Sequence, residues 1–359
     1  MSMFGSFNGL RLAIVGGFAV LSACAAATVG AQEVKELKVA PTDNDRIAAG
    51  LATHVYHQAA PARTARGMAA SRSELSTGRS SSKQGSADGG FDPDLLIRYP
   101  ADVVYNGGAV VEAAEWHNVY MLPNGNCPIA QCWGNPAGFL RDLSISEFVH
   151  VLDQYIGSEA NNRYTLGRHA SVDYVPPAVP FTDNDIIAIV HAVASVTGQT
   201  GYGHVYNVFL PPGQDECFDS TFTVCYSPDN LASFAFCAYH SSADTDIGHL
   251  VYTVEPFQDV PGCSARPGTP NGQLVDSTND TLSHETFESI SDPDGTAWWN
   301  STPSVTGLFG EEMADECVFV FLDAKGNAFG DPSVFRIGRK IYAVQLEYSD
   351  ARHGCTNEP

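Results

Sequence analysis

The 359-residue chain sets 41 Asp and Glu against 19 Lys and Arg, for a formal charge of −22, and 44% of it is hydrophobic. This balance excludes a nucleic-acid binder held by a basic surface, because neutralised phosphates supply most such affinity. The charge is unevenly placed: residues 1–90 carry nine basic and six acidic side chains, residues 91–359 ten and thirty-five. An acidic body long enough to bury a sizeable core therefore follows a weakly basic leader.

Arg11 precedes the apolar run LAIVGGFAVLSACAAATV, which is short and rich in small residues and reads as a signal peptide over residues 1–31. Cleavage after Val29-Gly30-Ala31 predicts soluble secretion. Leu21-Ser22-Ala23-Cys24 resembles a lipoprotein signal and makes Cys24 the lipidation candidate. Membrane association is expected only through such a lipid. Residues 32–90 include MAASRSELSTGRSSSKQGSADGG, too poor in apolar side chains to offset ordering entropy, and read as a disordered Ser/Gly-rich linker.

Apart from Cys24, eight cysteines remain: Cys127, Cys132, Cys217, Cys225, Cys237, Cys263, Cys317 and Cys355. An even set in an exported chain predicts up to four disulfides among roughly 105 possible pairings. Short loops favour Cys127 with Cys132 and Cys217 with Cys225, which would leave Cys237 with Cys263 and Cys317 with Cys355. A metal–thiolate site is disfavoured because the chain has no C-x-x-C pair.

From residue 91 the signals are those of one large mixed domain. VVYNGGAVV and HNVYMLP read as strands, with a turn at Asn106-Gly107. Ser144 and Glu147 form a capping-box pattern for a helix ending at Gly157. A second, buried helix runs from Thr182 to Gly198. YGHVYNVFLPP, FAFCAYH and HLVYTVEP read as strands. A helix around DTLSHETFESI, a turn at DPDG, the acidic segment EEMADEC, and strands VFVFLD and RKIYAVQLEY follow. The absence of a regular βαβ period predicts an α+β fold stabilised by disulfides.

One segment can carry chemistry. In His284-Glu285-Thr286-Phe287-Glu288, residues four apart share a helix face, so His284 and Glu288 can grip one metal ion with Glu285 beside the open position. This is the logic of H-E-x-x-H peptidases with glutamate in place of the second histidine, and it casts Glu285 as the general base. Glu312 is the expected third ligand, with Glu311 as its substitute, and Asp315 is expected to orient His284 through its other ring nitrogen. Zinc is the expected metal, although the oxygen-rich set also suits another divalent cation. The competing reading is an amphipathic helix with its polar face in water. His191, His204 and His240 read as structural histidines, Asp292-Pro293-Asp294-Gly295 as a turn, and Trp298 and Trp299 as buried aromatics.

FCAYHS, the Cys263 segment, SHETFESISDP with WW following, GEEMADEC and GRKIYAVQLEYSDARHGC resemble blocks of the phosphate-induced protein (EXORDIUM-like) family of secreted proteins. CWGNPAGFL and SEFVHVLDQY extend the resemblance over roughly residues 100–356. The bacterial-type pattern implies metal ligation by His284, Glu288 and Glu312, a base at Glu285 and support from Asp315, and the cysteines that plant members carry in the blocks of Cys317 and Cys355 imply a structural bridge. His240 recurs in plant relatives lacking the metal helix, which implies a structural role. Two functions are thus expected: a zincin-like hydrolase acting on peptides or proteins outside the cell, or a non-catalytic module binding a cell-wall component. A glycosidase using paired carboxylates ranks behind both.

Overall fold

In the computed structural model, residues 37–39, 53–58, 102–123, 127–157, 163–218, 220–300, 312–317 and 333–359 are described. All belong to one unit, Lys35–Pro359. The expected signal peptide with Cys24, the VFVFLD strand and Glu311 lie outside them. Of the expected linker over residues 32–90, the described parts are two strands, β1 (Leu37–Val39) and β2 (Thr53–Gln58).

The chain continues through β3 (Val104–Tyr105), β4 (Ala114–Pro123) and helix α1 (Pro136–Leu143). It then forms β5 (Tyr164–Leu166), β6 (Ala170–Tyr174), β7 (Phe181–Thr182) and helix α2 (Asp183–Thr197). Next come β8 (His204–Phe209), β9 (Glu216–Cys217), β10 (Cys225–Tyr226), β11 (Tyr239–Thr245) and β12 (Gly248–Glu255). Helix α3 (Gln273–Ser291), β13 (Trp298–Trp299), β14 (Ser333–Ile337), β15 (Lys340–Val344), β16 (Glu347–Ser349) and β17 (Gly354–Thr356) follow.

Helices and sheets are mixed, as expected, but the main sheet is not an antiparallel α+β sheet. Its order is β1-β6-β4-β8-β12-β11-β2, with β5 beside β4. Every pairing from β1 to β12 is parallel, and β11 and β2 complete it antiparallel. Alternation along the central strands divides the core. Trp116, Tyr120, Val205, Phe209 and Val251 face α3, Phe139 and Leu140. Val119, Met121, Tyr206, Val208, Tyr252 and Val254 face α2. Helices thus cover both faces, as parallel strands require. The segments joining the parallel strands differ widely in length, which is why no βαβ period shows in the sequence.

Helix α2 follows its signals: Thr182 and Asp185 make the capping box, and Gly198 ends the helix at φ +70°. The helix expected from Ser144 to Gly157 keeps its stop but not its start, and a separate helix, α1, precedes it. Asn135 caps α1 by accepting from Gly138 N (3.0 Å), and Ser144 sits at its C-terminal end, bonding back to Arg141 O. Phe148–Leu152 is 3₁₀ and passes into a single α-turn that stops at Gly157, φ +71°. Asn106-Gly107 does not close a hairpin, because β3 pairs with β13. Trp298 there donates to Tyr155 O (2.8 Å) and packs on Tyr155 and Tyr105.

Four disulfides join Cys127–Cys132, Cys217–Cys225, Cys237–Cys263 and Cys317–Cys355. They fit an oxidising, extracellular environment. Among the described residues, no helix is long and apolar enough to cross a membrane.

Candidate metal centre

Helix α3 is the element that places the chemistry. It is buried continuously from Leu282 to Ser291 between the sheet and the β14–β15 hairpin, so its polar side chains face protein rather than water. The amphipathic-surface reading therefore fails. A buried ionisable group is costly unless it is paired or bound to a cation, and here several converge. His240, His284, Glu285, Glu288, Glu312 and Asp315 are all at most 6% exposed.

His284 and Glu288 stand one helical turn apart, with His284 Nε2 3.1 Å from Glu288 Oε2. The same nitrogen lies 3.5 Å from Asp315 Oδ1. Around a tetrahedral ion with ligands at 2.0–2.2 Å, donor atoms sit about 3.3–3.6 Å apart, so these spacings suit one cation. His284 Nδ1–H donates to Gln345 Oε1 (3.0 Å), and Gln345 Nε2–H donates to Ala314 O (2.9 Å). That chain fixes the tautomer and turns the Nε2 lone pair toward Glu288 and Asp315. Glu288 Oε1 accepts from Asp315 N (3.0 Å), which ties the short acidic segment to the helix. The segment is further held by Tyr348 N donating to Met313 O (3.0 Å) and by the Cys317–Cys355 bridge.

Asp315 rather than Glu312 thus shares the grouping of His284 and Glu288, Glu312 falls in a second grouping with Glu288 and His240, and Gln345 takes the orienting place expected of Asp315. Asp315 faces the nitrogen of His284 that Glu288 faces, while the other nitrogen belongs to Gln345. The segment is a 3₁₀ turn at Asp315–Cys317 rather than a regular helix, which rotates Glu312 toward His240. His240, on the α3 face of β11, joins the cluster instead of standing apart as a structural residue. Its Nδ1 is 3.5 Å from both Glu285 Oε2 and Glu288 Oε2, and its Nε2 is 3.7 Å from Glu312 Oε1. Its Nε2–H also donates to Asp292 O (3.0 Å), the first residue of the DPDG turn.

Within this cluster two groupings of described residues could hold a metal ion, His284–Glu288–Asp315 and His240–Glu288–Glu312, with Glu288 common to both. The first fits better. It gathers its donor atoms around a nitrogen oriented by Gln345, whereas in the second His240 Nε2 already donates to Asp292 O. His284 Nε2, Glu288 Oε2 and both Glu285 oxygens are buried and make no hydrogen bond among the described residues. A cation would satisfy such donors.

The electrostatics agree. Two imidazoles meet four carboxyl groups, so the fully ionised cluster would be negative even with both rings protonated. Burial drives Glu312 well above the usual carboxylate range, reinforced by the charges of Glu288, Asp292 and Asp315. Burial likewise lifts Glu285 to about 7 against the neighbouring His240 and His284. For Glu288 burial is outweighed by His284 and His240, which bring it down to about 2. Burial alone would lower His240, but Glu285 and Glu288 raise it to about 10. Protons thus hold the charge that a divalent cation would otherwise balance.

No local signal pointed to Gln345 or His240 as partners of the helix. Gln345 follows β15, and its place is set by the pairing of Asp280 Oδ1 with its backbone N–H (2.6 Å). Gln345→Leu keeps the volume but removes the acceptor. Affinity for a divalent cation is expected to fall about 10–100-fold, as read by equilibrium dialysis of the full chain.

Compared with known proteins, the chain matches no family model, no curated protein and no solved structure.

Proposed function

We propose that the chain is an extracellular metal-dependent hydrolase of the phosphate-induced protein type, zincin-like in its chemistry, with peptides as substrate class and zinc as the cation. The observation that carries this reading is the oriented, buried His284–Glu288–Asp315 triad with Glu285 next in sequence to its histidine. These three residues would hold the ion, which when bound supplies Lewis-acid polarisation of a carbonyl and a more acidic water. Glu285 is the base: its carboxyl, lifted to about 7 by burial, is poised to take a proton near neutral pH. His240, 3.5 Å from that carboxyl, is placed to return a proton toward the leaving amine. Glu312 partners His240 and keeps it turned to the cluster.

The nearly complete burial of all six side chains favours a second reading, in which the cation is structural and the domain is a non-catalytic module binding a cell-wall component. Both readings require the ion, and turnover separates them. Elemental analysis of the chelator-free full chain is expected to find near-stoichiometric zinc that is absent from His284→Ala. Cleavage of a peptide library by the loaded wild type supports the hydrolase. Bound zinc without cleavage supports the structural reading, and no zinc even after loading sinks both roles of the ion and leaves a binding module without metal.

A further inference from the structure

On the opposite face of the main sheet, β4 and β8 bring together a second donor set. Glu115 and His117 are two apart on β4 and project to one side, and Glu115 lies in register with His204 on β8. His117 Nε2 is 3.1 Å from His204 Nδ1 and 3.7 Å from Glu115 Oε2, and His204 Nδ1 is 3.9 Å from that oxygen. A triangle with these sides has a circumradius of about 2.1 Å, the length of a zinc–nitrogen or zinc–oxygen bond. One point is thus at bonding distance from all three atoms.

The site is built rather than incidental. His117 is 2% exposed, and its Nδ1–H donates to Arg168 O (3.0 Å), so its Nε2 presents a lone pair to the triangle. The ring lies on Tyr206 with centroids 5.1 Å apart. Gly167 closes its other side, where a Cβ would fall 2.3 Å from His117 Cε1. Gln199 Nε2–H donates to Glu115 Oε2 (3.0 Å) and steadies the carboxylate. The side chains of His204 and Glu115 are 24% and 46% exposed, which leaves a coordination position toward solvent.

We propose that Glu115, His117 and His204 form a second, solvent-accessible site for a borderline transition-metal cation, zinc or copper(II), independent of the centre on α3. Two imidazoles and one carboxylate select such ions over calcium or magnesium, whose preferred ligands are all oxygen. The α3 centre lies across the sheet and shares no residue with it.

The test is a titration of the chelator-stripped full chain with copper(II), followed by electron paramagnetic resonance. A signal coupled to two imidazole nitrogens is expected in the wild type and in His284→Ala. It should vanish in His204→Gln, with affinity at this site falling roughly 100-fold or more. Glu115→Gln alters only a half-exposed side chain, guards against a folding artefact, and is expected to weaken binding roughly tenfold. Absence of the two-nitrogen signal from the wild type overturns the proposal, as does its unchanged persistence in both variants. Because the readout is indifferent to His284, its failure is distinguishable from failure of the α3 centre.

Discussion

Glu285→Gln is expected to lower peptide hydrolysis by about 10²–10⁴-fold, the usual contribution of a general base, while the zinc content stays that of the wild type. The two expectations belong together because Glu285 is not one of the three residues gathered on His284 Nε2. Its oxygens are buried, face His240 at 3.5 Å, and make no hydrogen bond among the described residues. The amide matches the carboxylate in shape, so packing around α3 is preserved, but it cannot accept the proton of an attacking water. Parallel turnover and metal assays on the variant decide the matter. Unchanged turnover would remove Glu285 from the chemistry, and loss of zinc together with turnover would make it a ligand instead of a base.

Metal-free protein should lose stability as pH rises from 5 to 7.5. Burial raises Asp280 from 3.8 to about 7, Glu285 from 4.5 to about 7, and Asp292 from 3.8 to about 6. Glu255, Glu312 and Glu347 are raised further in the same direction by the same cause. Between the unfolded and folded values the native state binds more protons than the unfolded chain, so stability falls with increasing pH. Glu288 has the opposite sign, but its contribution is lost only as pH drops below about 4.5 toward 2. His240, raised from 6.5 to about 10, adds stability below 6.5 that disappears as pH climbs through 10, which extends the decline. A drop in Tm of at least about 5 °C between pH 5 and 7.5 is expected by calorimetry of the chelated protein. Saturating zinc should restore more of it at pH 7.5 than at pH 5, because cation and protons compete for the same oxygens. A flat or rising Tm in the chelated protein would contradict the burial of these carboxyls.

Much of the local structure was written in the chain. Thr182 and Asp185 start α2 and Gly198 stops it because capping and left-handed termination involve only neighbouring residues. The spacing of His284 and Glu288 set their 3.1 Å approach, since a helix repeats every 3.6 residues whatever surrounds it. The short-loop cysteine pairs follow from chain connectivity, which keeps residues five or eight apart close in space. Gly157 stops the helical turns before it, as its local signal requires, but Ser144 closes α1 instead of opening a helix, because Phe139, Leu140 and Leu143 pack in the core and draw the preceding segment into a helix of its own.

What the sequence by itself determined, then, is the set of short-range arrangements: helix phase, caps, close disulfides and the acidic motif on α3. Only the tertiary structure decided which partners that motif meets. His240 arrives from β11 because the sheet order turns that residue's face toward α3, and a shift of one residue in strand register would have turned it away. Asp315 rather than Glu312 faces His284 because a 3₁₀ turn, pinned by Cys317–Cys355 and by Glu288 Oε1, rotates side chains differently from an α-helix. Gln345 reaches His284 Nδ1 through the docking of the β15 chain on α3. Likewise Glu115 and His204 meet only because β4 and β8 pair in parallel. Each of these contacts joins segments far apart in the chain, and their proximity depends on topology and register, quantities that no local periodicity encodes.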